Sequence, residues 1–522
     1  MTRFTRRDFL SQQAFGLGGL AMASLMKQEG LLAAPAKPPL QRRVFDLEPR
    51  SPVYRPQATA MISMFMQGGP SHMDLCDPKP ELAKHHMKDF TGEIHFDNVV
   101  QKSRKLFAGP WKFSKHGECG MDFSELLPHA GAIADDICLI RSMQTGISGH
   151  ETGISAMNTG RARRGRPSMG SWLVYGLGSE NQNLPAYMVL RDPGSLPVLG
   201  AEMWQNTWLP PGCAGTVVHA QEPRIANLQP PENLDRGSQQ RLLAFLENIN
   251  RQQLERFPGE SEFRARMQTY KLAAGMQVAA REALDISEET AETHSLYGID
   301  DPVTQDFGTR CLIARRLVER GVRFVQVLSG DQHWDHHGGI VNSLPKTCQK
   351  VDKPAAALVK DLKRIGLLET TLVHWGGEIG RLPVIQNESN IGRDHNGVGF
   401  SMWLAGGGIK PGCIHGATDD MGHRAVTDVV THYDFHATML HLLGIDHEKL
   451  TVRHNGIDRR LTDVHGNVDG GDWRVGRINV ARVGLVGISL LLVVFNYCVF
   501  YSLKTYFGCF FSNFPSKIFL SS

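Results

Sequence analysis

The sequence lacks an excess of charge of either sign. Its 522 residues carry 56 Lys and Arg against 53 Asp and Glu, which leaves a formal net charge of +3. Proteins that bind nucleic acids usually show a marked excess or clustering of basic charge, and this balance gives no support to such a partner. With 41% hydrophobic residues, the composition is that of an ordinary globular chain with ample material for a large core. We therefore predict no nucleic acid among its partners.

The sequence also lacks a cysteine framework. None of its nine cysteines forms a CxxC pair or another zinc-binding spacing, and their odd number and wide gaps define no disulfide pattern. Cys76, near His72 and Asp74, is a candidate soft metal ligand, but a cysteine in such a place is more often a small core residue. The 22 histidines are more informative, because many of them cluster in a few short stretches.

The richest of these stretches is residues 322–339. Its first part, residues 322–328, is apolar and β-branched enough for a strand inside a parallel sheet. A Ser-Gly break follows. After it come five side chains within seven residues, namely Asp331, His333, Asp335, His336 and His337. Carboxylates and imidazoles at this density are costly to bury unless they bind something, and a divalent metal is the simplest partner. A solvated, His-rich loop is the alternative.

Two other predicted strands end in the same way. Residues 371–375 lead through a Gly-Gly pair to Glu378, and residues 60–66 lead through another to His72 and Asp74. The sequence RDHN follows downstream of the first of these strands. In an open α/β sheet, such strand ends lie together along the carboxyl edge. The pattern therefore predicts one metal site built from several loops.

The order of helices and strands predicts an α/β fold. An amphipathic helix at 304–320 leads to the strand at 322–328, and a helix at 353–365 leads to the strand at 371–375, which is the βαβ order of a parallel sheet. Residues 234–286 predict a mostly helical insertion. It covers the site or contacts a partner, or its helices are ordinary surface helices.

The first residues predict an export signal. Arg6-Arg7 precede an apolar run rich in Gly and Ala, and Ala34-Pro35-Ala36 offers a small-residue cleavage site. The pattern resembles a twin-arginine signal, which the mature protein loses, and we assign it residues 1–36. The twin-arginine export machinery is then a partner, and the protein is exported to the periplasm or the cell exterior. A chance Arg-Arg pair before a helix is the alternative.

Composition changes abruptly in residues 469–522. Within them, residues 483–503 contain no formal charge and are long enough to span a bilayer. One interpretation is a tail that anchors the protein in a membrane through this transmembrane helix. The other is a terminal extension without a role.

Six motifs carry a family resemblance. They are FMQGGPSHMDLCDPKPEL, TGISGHETGISAMNTG, HWDHHGG, GGEIGRLP, GRDHNG and RHNGIDRRLTDVHG. In this order they resemble the domain-of-unknown-function family 1501, which is similar to sulfatases and belongs with the alkaline phosphatase superfamily. The resemblance includes the export signal, and we assign the family domain to residues 37–468. It implies an alkaline phosphatase- or sulfatase-like α/β sandwich with a mainly parallel central sheet and helical insertions.

The resemblance also implies a function. It is that of an exported hydrolase of sulfate or phosphate esters, acting on small-molecule or glycan substrates with a divalent metal ion such as Zn, Ca or Mg. The alternative is a catalytically degenerate protein of the same fold that binds sulfated glycans or other anionic ligands, or serves as a scaffold for them.

The resemblance implies particular metal ligands. Asp335 and His337 lie where one metal takes an Asp and a His, and His395 lies where a later ligand His is found. Glu378 stands where an Asp-His pair usually follows a strand. In the first loop, where sulfatases place two adjacent acids, His72 or Asp74 completes the predicted set.

His150 stands at the position of the sulfatase nucleophile. In the sulfatase pattern a Cys lies nine positions before the Thr of a Thr-Gly-Arg sequence, and here that position is occupied by His150. His150 is then a ligand, a general acid or base, or a covalent nucleophile. Ser148 and Thr152 are the hydroxyl alternatives. A hydrogen-bonded structural histidine is the non-catalytic interpretation.

Arginines supply the predicted anion contacts. Arg161 and Arg164 lie in a run of four closely spaced arginines, and guanidinium groups match sulfate and phosphate. A solvated basic loop is the commoner outcome for such a run. Arg381 and Arg393 are stronger candidates for contact with the reacting anion, since each lies within three residues of a predicted ligand.

Overall fold

The computed structural model describes residues 46–97, 102–194, 196–226, 228, 235–256 and 261–468. The predicted export signal at 1–36 and the predicted membrane segment at 483–503 lie outside these residues, and both stay predictions. Among the helices of the described ranges, none is long and apolar enough to cross a membrane.

The strands are numbered in chain order. They are β1 (Ala60–Phe65), β2 (Phe113–His116), β3 (Met121–Ser124), β4 (Ile137–Gln144), β5 (Tyr187–Leu190), β6 (Thr216–Val218), β7 (Phe324–Leu328), β8 (Thr371–Gly376), β9 (Gly380–Ile385), β10 (Arg393–Asn396), β11 (Phe400–Ala405), β12 (Cys413–His415), β13 (Ala417–Thr418), β14 (Ala425–Thr427), β15 (Val430–Thr431), β16 (Val452–His454) and β17 (Ile457–Arg459).

The α-helices are numbered in the same way. They are α1 (His72–Leu75), α2 (Pro80–Lys84), α3 (Pro128–Gly131), α4 (His150–Thr159), α5 (Met169–Leu177), α6 (Arg236–Arg256), α7 (Ser261–Leu284), α8 (Ala291–Tyr297), α9 (Gln305–Glu319), α10 (Ile340–Arg364) and α11 (His432–Leu442). Short 3-10 turns occupy Ala134–Asp136, Gly200–Trp204, Pro211–Cys213 and Leu368–Thr370.

A mainly parallel sheet organises the larger of two compact units. Its strand order is β12-β4-β11-β8-β1-β7-β5-β6, and β15 also pairs with β4. The central strand β1 runs parallel to β7 on one side and to β8 on the other. Only β11 runs antiparallel to its neighbours within this sheet of the described chain. The predicted α/β class with a mainly parallel central sheet is thus confirmed.

Both faces of the sheet are covered, which explains why its strands are apolar throughout. On one face, Ile62 and Val325 belong to a core that also contains residues of α9 and α10. On the other face, Ser63 and Phe324 line a small cavity together with Gly170 of α5. Because successive side chains of a strand point to opposite faces, a strand covered on both sides reads as a continuous apolar run.

Helix α6 and the first part of α7 lie in the other compact unit. Their helical form agrees with the prediction for residues 234–286. Helix α10 differs from its prediction. It begins at Ile340, well before the predicted start at 353, and it contains Pro345 and Pro354. Proline inside a helix usually kinks or ends it, but here the buried stripe continues through both prolines at helical spacing, as shown by Ile340, Leu344, Cys348, Val351 and Ala355.

Three buried histidines make the stability of the protein sensitive to acid. Burial, together with repulsion from a charged His436, lowers the pKa of His374 and His432 to about 3, and burial lowers the pKa of His436 to about 4. Below about pH 6.5 these histidines bind protons in the unfolded chain but stay neutral in the folded protein. Stability is therefore lost as the pH falls. We expect a loss of about 2 kcal/mol for each histidine between about pH 7 and about pH 5.

Urea unfolding at the two pH values checks this expectation. In His374→Asn the loss of unfolding free energy on acidification should be smaller than in the wild type by about 2 kcal/mol. The control is His85→Asn, at a histidine whose side chain is 42% exposed, and it should leave the acid sensitivity unchanged. An equal loss in His374→Asn and the wild type would show that His374 is not held neutral by burial.

Candidate metal centre

Three loops that follow parallel strands meet at one edge of the central sheet. The loop after β7 carries Asp335 and His337, and Glu378 lies two residues beyond the end of β8. The loop after β1 approaches both, because the Gly68 amide donates to Glu378 Oε1 at 3.0 Å. A Cβ on Gly68 would lie 2.6 Å from the Asp335 backbone nitrogen, and its φ is +106°. A glycine is therefore required where these loops come together.

Three predicted site histidines gather around the carboxylate of a fourth predicted site residue, Asp335. His150, Asp335, His337 and His395 each offer a ligand atom, and these atoms all lie within 4.8 Å of one another. From the Asp335 oxygens, the distances to the histidine Nε2 atoms are 2.9 Å for His337, 3.4 Å for His150 and 3.5 Å for His395. Within the ranges that the structure describes, no other group of three His, Cys, Asp or Glu side chains has this spacing. The cluster can hold a metal ion.

Each histidine of the cluster comes from a different element. His150 is the first residue of α4, so the helix start fixes its position. His337 lies in the loop after β7. His395 lies in β10, which pairs antiparallel with β9 so that His395 stands opposite Arg381. The β9–β10 hairpin therefore returns the chain from the end of β8 to this cluster.

In each histidine of the cluster, the Nδ1 atom, which faces away from Asp335, forms a hydrogen bond to an acceptor. His150 Nδ1 donates to Glu378 Oε1 at 2.6 Å, and His395 Nδ1 donates to Asp97 Oδ2 at 3.0 Å. His337 Nδ1 donates to Gln386 Oε1. With the proton on Nδ1, the lone pair is on Nε2, the atom that faces the centre. Metal-binding histidines are commonly oriented by such partners.

The centre also contains buried polar atoms without a hydrogen-bond partner. They are His150 Nε2, His395 Nε2 and Glu378 Oε2. Buried polar atoms normally have a partner, and unsatisfied ones in a native protein need an explanation. Two of these atoms are imidazole nitrogens aimed at the Asp335 carboxylate. The donor chemistry of the cluster thus fits a bound cation.

The charges of the cluster shift its pKa values in opposite directions. Burial lowers the pKa of His150, but its contacts with Asp335 and Glu378 outweigh burial and raise the value to about 9. Burial, aided by the charge of Arg381, keeps the pKa of His395 below its usual value. For Asp335, burial raises the pKa, but the surrounding histidines and Arg381 outweigh it and hold the value far below the usual range. Asp335 is therefore ionised and His395 neutral at neutral pH, the states that bind metal. His150 carries a second proton, on Nε2, when no cation is bound, and it must lose this proton to become a ligand.

Arg381 is buried, and its guanidinium group contacts the Asp335 carboxylate from the protein interior. Its Nη2 donates to Asp335 Oδ1 at 2.6 Å, and its Nε donates to the Gly69 carbonyl at 3.0 Å. Further donors reach the carbonyls of Gly68 and Arg393. The predicted contact of Arg381 with a substrate anion stays a prediction, because in the structure its guanidinium positions the Asp335 carboxylate.

Asp74 and Arg393 pair with each other. Arg393 Nε and Nη2 donate to the two Asp74 oxygens at 2.7 and 2.8 Å, and both side chains are at most 1% exposed. Ser71 Oγ also donates to Asp74, at 2.6 Å. His72 lies in the same short helix, with Nε2 2.8 Å from the Gly422 carbonyl oxygen. His72 and Asp74, which were predicted to complete the ligand set, are thus not among the four clustered side chains. The predicted contact of Arg393 with a substrate anion stays a prediction.

The two arginines predicted to bind anions are already paired with carboxylates. Arg164 Nε donates to Glu151 Oε1 at 2.8 Å, and Arg161 forms an ion pair with Asp463. Their side chains are 47% and 39% exposed, respectively. Such ion pairs near the surface are weak, so they leave the predicted anion contacts untested.

Sequence reasoning missed Asp97 and Gln386. Asp97 lies in a polar stretch before β2, and Gln386 follows the last residue of β9. Neither belongs to a spacing typical of metal sites. Each contributes through one hydrogen bond to a histidine that is distant in sequence, and no local pattern could have revealed such a contact.

Comparison with known proteins places the chain in a family. The family model described as "Protein of unknown function (DUF1501)" matches residues 58–469. No curated protein matches the chain. Among solved structures, the chain is similar to PsFucS1 sulfatase from Pseudoalteromonas sp., with 14% identity, a TM-score of 0.34 and coverage of 80% of this chain and 74% of the other.

Two further solved structures show similarity at the same low level. One is a protein in the alkaline phosphatase superfamily from Vibrio parahaemolyticus, with 9% identity, a TM-score of 0.34 and coverage of 77% of this chain and 72% of the other. The second is the lipoteichoic acid synthase LtaP from Listeria monocytogenes, with 8% identity, a TM-score of 0.31 and coverage of 77% and 76%. At these scores, only the family match supports an assignment.

Proposed function

The chain belongs to the DUF1501 family of proteins of unknown function, and we propose that it is a metal-dependent hydrolase of sulfate or phosphate esters. The proposal depends chiefly on one observation, the convergence of three imidazole Nε2 atoms on the Asp335 carboxylate. The sequence motifs that resemble those of sulfatases support the choice of ester.

The donor set favours one class of metal. Three imidazole nitrogens and one carboxylate suit Zn²⁺ or a similar transition metal ion. Ca²⁺ and Mg²⁺ prefer sites made of oxygen atoms. Of the metals that the sequence left open, we therefore propose Zn²⁺, held by His150, Asp335, His337 and His395. Such an ion would polarise an S–O or P–O bond and activate water or another nucleophile.

The surrounding residues keep the ligands in place. Glu378 and Asp97 fix the rings of His150 and His395 through their Nδ1 atoms. Arg381 fixes the carboxylate of Asp335 from the buried side. Glu378, which was predicted to be a ligand, lies behind His150 in this proposal and positions the ring. Partners of this kind usually matter almost as much for metal affinity as the ligands themselves.

Asp331 is the group that could supply a proton. It lies in the same loop as Asp335, and its Oδ1 is buried without a partner. Burial raises its pKa, and the charge of Glu378 raises it further, whereas the charge of His150 lowers it. A carboxyl group with a raised pKa can donate a proton to a leaving oxygen.

We also propose that the protein acts after export. Arg6-Arg7 and the apolar run that follows support this proposal. Twin-arginine export carries folded proteins, often ones that have already bound a cofactor, and this property suits a metal enzyme.

Elemental analysis and an ester assay together test the function. The purified protein should contain about one zinc ion per chain, and it should release 4-nitrophenol from 4-nitrophenyl sulfate or phosphate. A chelator should stop the release, and added zinc should restore it. Stoichiometric metal without turnover of either ester would indicate instead a binding or scaffold protein for anionic ligands.

The variant His150→Ala separates the roles left open for this residue. Because its Nε2 lies among the other ligand atoms, we expect metal content and activity to fall together. A loss of activity of at least ~100-fold with full metal content would indicate proton transfer or covalent catalysis. His85→Ala serves as the control and should change neither quantity. If His150→Ala keeps metal and activity and loses only thermal stability, His150 is structural.

A further inference from the structure

Two cysteines face each other at the edge of the central sheet. The edge strand β12 pairs in parallel with β4, and this pairing places Cys413 directly opposite Cys138. Neither cysteine forms a disulfide in the structure, and their thiols are in hydrogen-bonding contact. Cys138 is fully buried, whereas Cys413 is partly exposed. The pair lies apart from the metal centre and has no part in the proposed function.

We infer that Cys138 and Cys413 can form a disulfide bond and that this bond holds β12 at the edge of the sheet. Neighbouring strands lie about 4.7–4.9 Å apart, and opposite side chains on paired strands point to the same face. Disulfides join cysteines whose Cα atoms are roughly 4.4–6.8 Å apart. The strand pairing thus brings the two thiols within bonding range without a change of fold.

The oxidant in this proposal is a small disulfide such as oxidised glutathione. The Cys413 thiolate attacks one sulfur of that disulfide, forms a mixed disulfide and releases one small thiol. The Cys138 thiolate then attacks the Cys413 sulfur, forms the new S–S bond and releases the second small thiol. Two protein thiols are oxidised, one small disulfide is reduced to two thiols, and no atom or electron is left over.

Exposure decides which thiol reacts first. Contact with Cys413, together with burial, holds the pKa of Cys138 well above the usual range, so Cys138 is a poor thiolate. Cys413 is the accessible member of the pair. Once Cys413 carries the mixed disulfide, its contact with Cys138 makes the second step intramolecular and therefore fast relative to attack by a separate molecule.

The position of the pair gives the bond a structural role. β12 has only three residues and forms an end of the sheet, so a few hydrogen bonds hold it there. Edge strands are weak points of a sheet, and a covalent link would keep this one attached. The bond would also join residues far apart in the chain, which restricts the unfolded state.

Two competing interpretations can be weighed against the structure. A metal site at the pair would need further ligands, and among the described residues the only such group is the one around Asp335. A different disulfide is the second possibility, because a Cβ on Gly412 would lie 3.3 Å from the Cβ of Cys119. Cys119 is therefore the cysteine that the experiment must distinguish from Cys138.

Oxidation of the full, folded chain tests the inference. Reduced protein is incubated with oxidised glutathione, its remaining thiols are alkylated, and its peptides are mapped by mass spectrometry. We expect a cross-linked peptide that contains Cys138 and Cys413, and a Tm higher than that of the reduced protein by about 3 °C or more. Dithiothreitol should reverse both changes.

Two variants complete the test. Cys413→Ser should abolish the cross-link and the gain in Tm, whereas the control Cys119→Ser should keep both. Recovery of Cys138 and Cys413 as alkylated thiols after oxidation would overturn the inference. A cross-link between Cys413 and Cys119, or a cross-link with no gain in Tm, would overturn it as well.

Discussion

Replacing Asp335 and His337 together by alanine should remove the proposed metal ion from the folded protein and abolish the proposed ester hydrolysis. The reason is the central place of Asp335, whose oxygens lie 2.9–3.5 Å from the Nε2 atoms of three histidines. Without Asp335 and His337, the cluster keeps two imidazoles and faces the uncompensated charge of Arg381. We expect metal affinity to fall by more than the 10- to 100-fold loss typical of residues that only support a ligand, that is, by at least ~100-fold.

Elemental analysis after gel filtration measures this loss, and circular dichroism checks that the fold is retained. Asp300→Ala is a suitable control, since it removes an exposed carboxylate outside the cluster. It should keep the metal content of the wild type. Unchanged metal stoichiometry in the double variant would remove Asp335 and His337 from the site and would leave the proposed function without its main support.

The variant Asp74→Ala should be strongly destabilised and should keep its metal. The Arg393 side chain is completely buried, and its ion pair with Asp74 compensates its charge. Removing one partner of a buried ion pair leaves an unpaired charge in a medium of low polarity, at a cost of about 3–5 kcal/mol. Urea unfolding measures the loss of unfolding free energy, and elemental analysis of the folded protein measures the metal.

A second substitution separates charge from packing. The double variant Asp74→Ala with Arg393→Met removes both charges and should recover much of the lost stability, because apolar replacements of buried ion pairs are often well tolerated. An Asp74→Ala protein that unfolds like the wild type but has lost its metal would show that Asp74 is a ligand, as the resemblance to sulfatases implies.

Glu378 illustrates how far sequence reasoning reached. Its position after a buried strand and a Gly-Gly pair was visible, and the structure places it beside the other site residues. Its hydrogen-bonded position beside His150 was not visible. That position depends on a hydrogen bond to His150, which lies 228 residues away in the chain. The identity of a side chain predicts which atoms it can contact, but not which partner will be there.

The metal ligands that the family resemblance implies were likewise only partly brought together. His150, Asp335, His337 and His395 converge, whereas His72 and Asp74 do not join them. All of these residues looked alike in the sequence, as polar side chains near apolar strands. A buried carboxylate can be satisfied by a metal or by a guanidinium group, and only the packing of Arg393 against the first loop distinguishes these outcomes.

Local interactions and distant contacts account for different parts of this protein. Strands β1, β7 and β8, the glycines that end them and the helix that begins at His150 follow from neighbouring residues, because burial and backbone freedom leave a periodic pattern in the chain. The β9–β10 hairpin that returns His395 to the centre, the contact of Asp97 with it across 298 residues and the pairing of Asp74 with Arg393 leave no such pattern. They arise only when the folded sheet brings distant side chains together, and one hydrogen bond then decides whether a residue binds metal, orients a ligand or compensates a buried charge.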